Sequence, residues 1–144
     1  MSVAAILKTK GDDVVAARPD DQADAVAKLL AAHNIGAVLV RAADGHVLGI
    51  LSERDIVRAV ARHGAAALHM TASALMTRAV VSCTPEDSVA EVMEIMTQKR
   101  IRHLPVMDHG ALAGMISIGD VVKRRISDAV AEAENLRAFV AGNG

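Results

Sequence analysis

Apolar residues along this chain follow two rhythms that take turns. Ala23, Val26, Ala27 and Leu30 recur at helical spacing, and so do Val89, Val92, Met93 and Met96. A short apolar run precedes each set, "VVAA" at 14–17 and "VVSC" at 80–83, and each run stops just before a proline, Pro19 or Pro85. These read as strands closed by proline. Thr84-Pro85-Glu86-Asp87 has the cap, first-turn proline and third-position acid of a helix start. After each helix come two strand patterns: "GAVLV" and "VLGIL" around Asp44-Gly45, then "HLPVM" and "LAGMI" around His109-Gly110. A closing helix starts at Ser52 or Ser117. Each stretch therefore predicts β-α-β-β-α.

The two stretches are copies. At an offset of 66 residues Val14-Val15 falls on Val80-Val81, Pro19 on Pro85, Val26 on Val92, Leu29 on Ile95, Leu30 on Met96 and Ile35 on Ile101. One gap later, Gly49, Ser52, Asp55 and Val57 fall on Gly114, Ser117, Asp120 and Val122. An Ala/Val-rich chain matches apolar positions by chance, but not a Gly, a Ser and an Asp as well. Ser2 to Lys8 resembles Thr71 to Thr77, which predicts a short helix ahead of each first strand. The expected division is a first repeat at 1–63, a linker rich in small residues at 64–72, a second repeat at 73–128 and a helical tail at 129–144. Toward the tail, Val122, Ile126, Ala129, Ala133, Leu136 and Val140 alternate spacings of four and three, a heptad stripe. It either packs on its own domain or forms a dimer contact.

Composition narrows the chemistry. The 144 residues are 52% hydrophobic, the net charge is -1, and Phe139 is the one aromatic residue. That excludes a base-stacking platform and an aromatic cage, and it gives no electrostatic footprint for nucleic acid or anionic lipid. A single Cys83 makes no internal disulfide and suggests a reducing compartment. No basic region precedes an apolar stretch of signal length at the N-terminus, and the longest uncharged run, Gly64 to Thr77, is too short to span a bilayer. A cytoplasmic protein without membrane contact is expected. Six histidines show no metal-ligand spacing, and there is no G-x-S-x-G, G-x-G-x-x-G or P-loop. Neither an enzyme nor a catalytic cofactor is expected.

The remaining chemistry lies in G-h-h-S-x-x-D (h, apolar), present as "GILSERD" at 49–55 and "GMISIGD" at 114–120. A Ser at a helix start offers a hydroxyl beside free backbone N–H groups, a setting for phosphate. An Asp one turn on can accept two hydrogen bonds from a vicinal diol. The pair would suit the ribose phosphate end of a nucleotide. The same S-x-x-D is also a capping box, sufficient by itself to stabilise a helix start.

With these residues, the strand "RHLPV" and the order of turn, glycine strand and Asp, residues 3–128 resemble a pair of cystathionine-beta-synthase (CBS) domains, a Bateman module. The resemblance implies an α+β fold of two β-α-β-β-α repeats related by pseudo-two-fold symmetry, sheets packed with helices, here with a C-terminal helix added. It implies a regulatory module that binds adenosine-containing ligands such as AMP, ADP, ATP, NAD(H) or S-adenosylmethionine in clefts between the repeats, and that forms a homodimer.

Residue by residue, the family pattern makes Asp55 and Asp120 the ribose acceptors, with Ser52 and Ser117 near ribose or phosphate. Arg102 and His103 match positions that meet phosphates, whereas Gly36 and Ala37 of the first repeat would line a wall near the base. Val15 and Val81 match adenine-edge contacts, Ile50 and Met115 would help grip the base, and Arg54 adds charge where the second repeat has Gly119. The cationic grouping favours AMP, ATP or NAD(H) over S-adenosylmethionine. The regulated target is expected to be a separate, unidentified protein. The competing expectation is a scaffold that binds nothing, its S-x-x-D boxes acting only as caps.

Overall fold

The computed structural model describes residues 1–11 and 13–143. Two compact units are present, one spanning Asp13–Val81 and the other joining Met1–Asp12 to Ser82–Gly144. In the first unit, strand β1 (Ala16–Ala17) pairs in parallel with β2 (Ala37–Arg41), which pairs antiparallel with β3 (Val47–Ser52), giving the order β1-β2-β3. Helix α2 (Ala23–His33) connects β1 to β2. Helix α3 (Glu53–His63) follows β3, and a short 3₁₀ helix covers the expected linker at Gly64–His69 before α4 (Ala72–Leu75). In the other unit, α1 (Val3–Lys10) is followed in sequence, beyond the first unit, by α5 (Val89–Lys99), β4 (His103–Asp108), β5 (Ala111–Ser117) and α6 (Ile118–Asn143). The mixed α and β composition, the duplicated order and the C-terminal helix are as the sequence predicts.

Three details differ. The first strand of each repeat is short: two residues in one copy and a single parallel bridge, Cys83 to Val106, in the other. Proline ends both so early that little pairing develops. Thr84 to Asp87 is not a helix start but a turn, in which the Asp87 carboxylate accepts from the Thr84 N–H at 2.9 Å, as Asp21 does from Arg18. The helix begins later at Val89, where Ser88 accepts from the Glu91 N–H at 3.0 Å. Finally, nothing breaks the chain after Asp128. The closing helix of the second repeat and the tail are one helix, about 39 Å long at 1.5 Å per residue.

The leading helices dock on the opposite copy from the one they precede in sequence. In the second-repeat unit, the Val3 and Ala4 N–H groups donate to the Asp87 and Pro85 carbonyls at 2.9 Å. In the first-repeat unit, the Ala72 and Ser73 N–H groups of α4 donate to the Asp21 and Pro19 carbonyls at 2.7 and 2.9 Å. Each helix thus satisfies its orphan N-terminal donors on the proline turn of the copy that it does not lead into. The first unit closes over Ala17, Val26, Leu30, Val38, Val40, Leu51, Ala72 and Met76. Val92, Met96, Leu104, Val106 and Ile116 are buried at matching positions of the second repeat.

Candidate functional site

Each repeat places its Ser and Asp where an antiparallel strand runs directly into a helix. In the first unit the Asp55 N–H donates to Ser52 Oγ at 3.2 Å, and Asp55 Oδ2 accepts from the Ser52 N–H at 3.0 Å and from its hydroxyl at 3.1 Å. In the second, the Asp120 N–H donates to Ser117 Oγ at 3.2 Å and Asp120 Oδ2 accepts from the Ser117 N–H at 2.8 Å. Both are complete capping boxes, and all four side chains are half-buried. The segment before each β-hairpin closes the junction. The Glu53 N–H donates to the Gly36 carbonyl at 2.9 Å, and the Ile118 N–H donates to the Arg102 carbonyl at 2.7 Å.

Cross-strand pairing decides which candidates share a face, since partners directly opposite point the same way. Ala37 pairs with Ser52 and Leu39 with Ile50, so Ala37, Ile50 and Ser52 lie on one face of the first sheet. His103 pairs with Ser117 and Pro105 with Met115, so His103, Met115 and Ser117 lie on the equivalent face of the second. Arg54 and Arg102 are exposed beside their junctions.

One expectation needs correction. The helix starts are not open phosphate cradles, because two of the first three N–H groups of each helix are taken from within the unit: those of Glu53 and Asp55, and of Ile118 and Asp120. Val15 and Ile50 lie on opposite faces of the first sheet. Val15 packs against the buried cluster containing Ala17, Val38 and Leu51, whereas Ile50 shares the opposite face with Leu39. Val81 falls in the same unit as Val15, and Met115 in the other.

A residue that the sequence reading passes over reaches the second junction. Lys10, at the end of α1, donates from Nζ to Asp120 Oδ2 at 2.7 Å and to the Met115 carbonyl at 2.8 Å. Burial pulls the Asp120 carboxyl upward, but the Lys10 hydrogen bond, the Ser117 N–H and the Lys10 charge outweigh it and hold the group below its ordinary 3.8. Lys10 stands more than a hundred positions away, and only the docking of α1 brings it there. Cys83 is no reactive centre: burial, with Asp87 adding to it, pushes its thiol up to about 12. Among the described residues no His, Cys, Asp or Glu cluster could hold a metal ion, and no helix is long and apolar enough to cross a membrane.

The duplicated strand-to-helix junction with its Gly, Ser and Asp matches the CBS domain family at residues 3–62 and again at 72–127. The chain belongs to the CBS domain family. Solved CBS structures share its fold. The CBS-domain protein ATU1752 from Agrobacterium tumefaciens is 52% identical with a TM-score of 0.85, over 86% of this chain and 92% of that one. The CBS protein PAE2072 from Pyrobaculum aerophilum, complexed with AMP, is 28% identical with a TM-score of 0.74, over 83% and 89%. The CBS domain pair of MJ0100, complexed with 5′-methylthioadenosine and S-adenosyl-L-methionine, is 25% identical with a TM-score of 0.75, over 85% and 98%. The regulatory-module family and its duplicated fold therefore agree with the resemblance read from the sequence.

Proposed function

We propose that the protein is a sensing module that binds an adenosine-containing nucleotide, AMP, ADP, ATP or NAD(H), at its Ser–Asp junctions and transmits occupancy by a change of conformation or assembly without transforming the ligand. The observation that carries this reading is the recurrence of a half-buried carboxylate one turn into a helix, beside a Ser hydroxyl on the same sheet face as apolar residues. Asp55 and Asp120 would accept the ribose diol. Ser52 and Ser117 would lie near ribose or phosphate, Ala37, Ile50 and Met115 near the base, with Val15 and Val81 the remaining base contacts. Arg54, Arg102 and His103 would meet the phosphates, and Gly36 would form part of the wall. That AMP, 5′-methylthioadenosine and S-adenosylmethionine occupy CBS pairs of the same fold supports the adenosine part. The cations favour a phosphate at its other end. Lone, buried Cys83 supports a reducing, cytoplasmic setting.

A ligand at about 100 times its dissociation constant would stabilise the fold by roughly 2.7 kcal/mol, so a thermal-shift panel of AMP, ATP, NAD(H) and S-adenosylmethionine tests the proposal. Asp120→Ala should weaken nucleotide binding by roughly 1.5 to 3 kcal/mol in calorimetry. No stabilisation by any of the four at millimolar concentration would leave the second reading, a scaffold whose Ser–Asp boxes are caps. That both boxes are completed by the chain's own atoms is the observation in favour of that reading.

Assembly as a homodimer is part of the proposal. Along α6, Ile126, Leu136 and Val140 are exposed on one stripe with Ala129 and Ala133. In a parallel pair of copies, Glu132 of one would meet Arg137 of the other at flanking heptad positions, a complementary contact. Sedimentation should show a dimer for the native chain and a monomer for Leu136→Glu; a native monomer at about 100 μM, a concentration that would populate a weak pair, removes this part of the proposal.

A further inference from the structure

The two Ser–Asp junctions differ most in what reaches them from outside the strand–helix unit. In the first-repeat unit α4 ends at Leu75, and the chain then lies along β3, with Thr77 exchanging both backbone hydrogen bonds with Ile50, at 2.8 and 3.0 Å. Asp55 bonds only to Ser52, and among the described residues no cation pairs with it. In the second-repeat unit α1 is twice as long as α4, running on to Lys10. Its ammonium takes the carbonyl of Met115, the counterpart of Ile50, and then spans to Asp120. The side chains of the pair are 39% and 25% exposed, so the contact lies at the solvent edge of the junction, where a ligand would enter.

We infer that Lys10 belongs to the second ligand site and lowers its affinity for ribose relative to the first: the ammonium is a resident occupant of the carboxylate that a vicinal diol would use. This rests on the reading of Asp55 and Asp120 as ribose acceptors. A diol donates two hydrogen bonds to a carboxylate. At Asp55 one oxygen already accepts from the Ser52 N–H and the Ser52 hydroxyl, but both donors are neutral groups of the cap itself, and a diol has no charge to displace there. At Asp120 one oxygen already accepts from both Ser117 and Lys10, so the diol must displace the ammonium or share the oxygen with it. A partly exposed ion pair is worth little, so its displacement costs about threefold in affinity and does not abolish binding. The inequality between the sites is therefore set by a residue outside both S-x-x-D boxes.

The test titrates AMP by calorimetry into the full chain carrying Asp55→Asn, which weakens the first site, and into the same chain with Lys10→Met added. Tightening of about threefold is expected in the double variant. The gain should be absent with 2′-deoxy-AMP, which lacks the diol, and Lys10→Arg should restore the single-variant affinity. Lys10→Gln, which keeps a polar tip, is run in parallel, and circular dichroism establishes that each variant is folded. Unchanged AMP affinity in the double variant overturns the inference and leaves nucleotide sensing intact. Weaker AMP binding also overturns it, because Lys10 would then be a phosphate contact. If neither the native chain nor any variant binds AMP, both the inference and the nucleotide reading fall.

Discussion

The first-repeat and second-repeat units solve the same problem with different atoms. Each sets a glycine strand beside a helix supplied by the other copy, and each closes the strand edge just before the Ser–Asp cap. In the first unit the closing group is backbone: Thr77 pairs with Ile50, and Met76 lies over Gly49. In the second it is side chain: Lys10 Nζ on the Met115 carbonyl, with Leu7 over Gly114. Backbone pairing is insensitive to side-chain identity and to pH, whereas an ammonium can be replaced, displaced or left without a charged partner. Two copies with one ancestral pattern can therefore carry the same motif at unequal strength, and the inequality lies in the helix that docks rather than in the motif.

The largest effect that tests this comparison is expected at the glycines. A Cβ built at Gly49 would lie 2.7 Å from the Thr77 carbonyl oxygen and 2.7 Å from Met76 Sδ. The sulfur can move; the carbonyl is held by the Ile50 pairing. A Cβ at Gly114 would meet Leu7 Cδ2 at 2.7 Å, the far end of a flexible side chain, with no backbone atom close by. Gly49→Ala should therefore cost about 1–3 kcal/mol in urea unfolding, the range for overpacking a closed interior, and Gly114→Ala less than about 1 kcal/mol. Equal losses would mean that α1 is docked as rigidly as the segment after α4, and that backbone and side-chain closure do not differ.

These glycines also show how far the sequence could be read. Helical periodicity located α2 and α5 and alternation the paired strands β2 to β5, because those patterns report burial within each element; α1 and α4 were legible only from the likeness of their segments, and the 3₁₀ helix at Gly64–His69 read as a linker. The capping boxes at Ser52 and Ser117 were legible for the same local reason. The turns at Arg18 to Asp21 and Thr84 to Asp87 were not, since the carboxylate that closes each turn mimics the acid of a helix start three positions on. Gly49 and Gly114 read as part of a ligand motif, while the structure shows a second role, making room for a docked helix. Lys10 could not be found at all. Its repeat partner has no equivalent side chain, and its role depends on which unit α1 joins, a tertiary fact without a local pattern. The opposite faces of Val15 and Ile50 were hidden for a related reason: the register that separates them is set by β2, which lies between their strands.

The smallest effect is a pH dependence expected from the Lys10 contact. Lys10 helps to hold the Asp120 carboxyl below its ordinary 3.8 against the opposing pull of burial. A carboxyl whose pKa is lower folded than unfolded binds fewer protons in the native state, so its stabilisation is complete above 3.8 and is lost as the pH falls through the lower folded value. Lys10→Met keeps most of the aliphatic stem and removes the ammonium. At pH 7 it should destabilise the protein by roughly 0.2–1 kcal/mol, the range for a partly exposed pair, measured by urea unfolding. At a low pH at which Asp120 has taken up its proton, the same substitution should cost less, because only the Lys10 bond to the Met115 carbonyl is then at stake. Asp120→Asn should show the complementary behaviour, with most of the Lys10→Met penalty at pH 7 already absent in its background. If Lys10→Met costs the same at both pH values, the ammonium acts only on the Met115 carbonyl, and the two units differ in how an edge is closed but not in the charge presented at their Ser–Asp junctions.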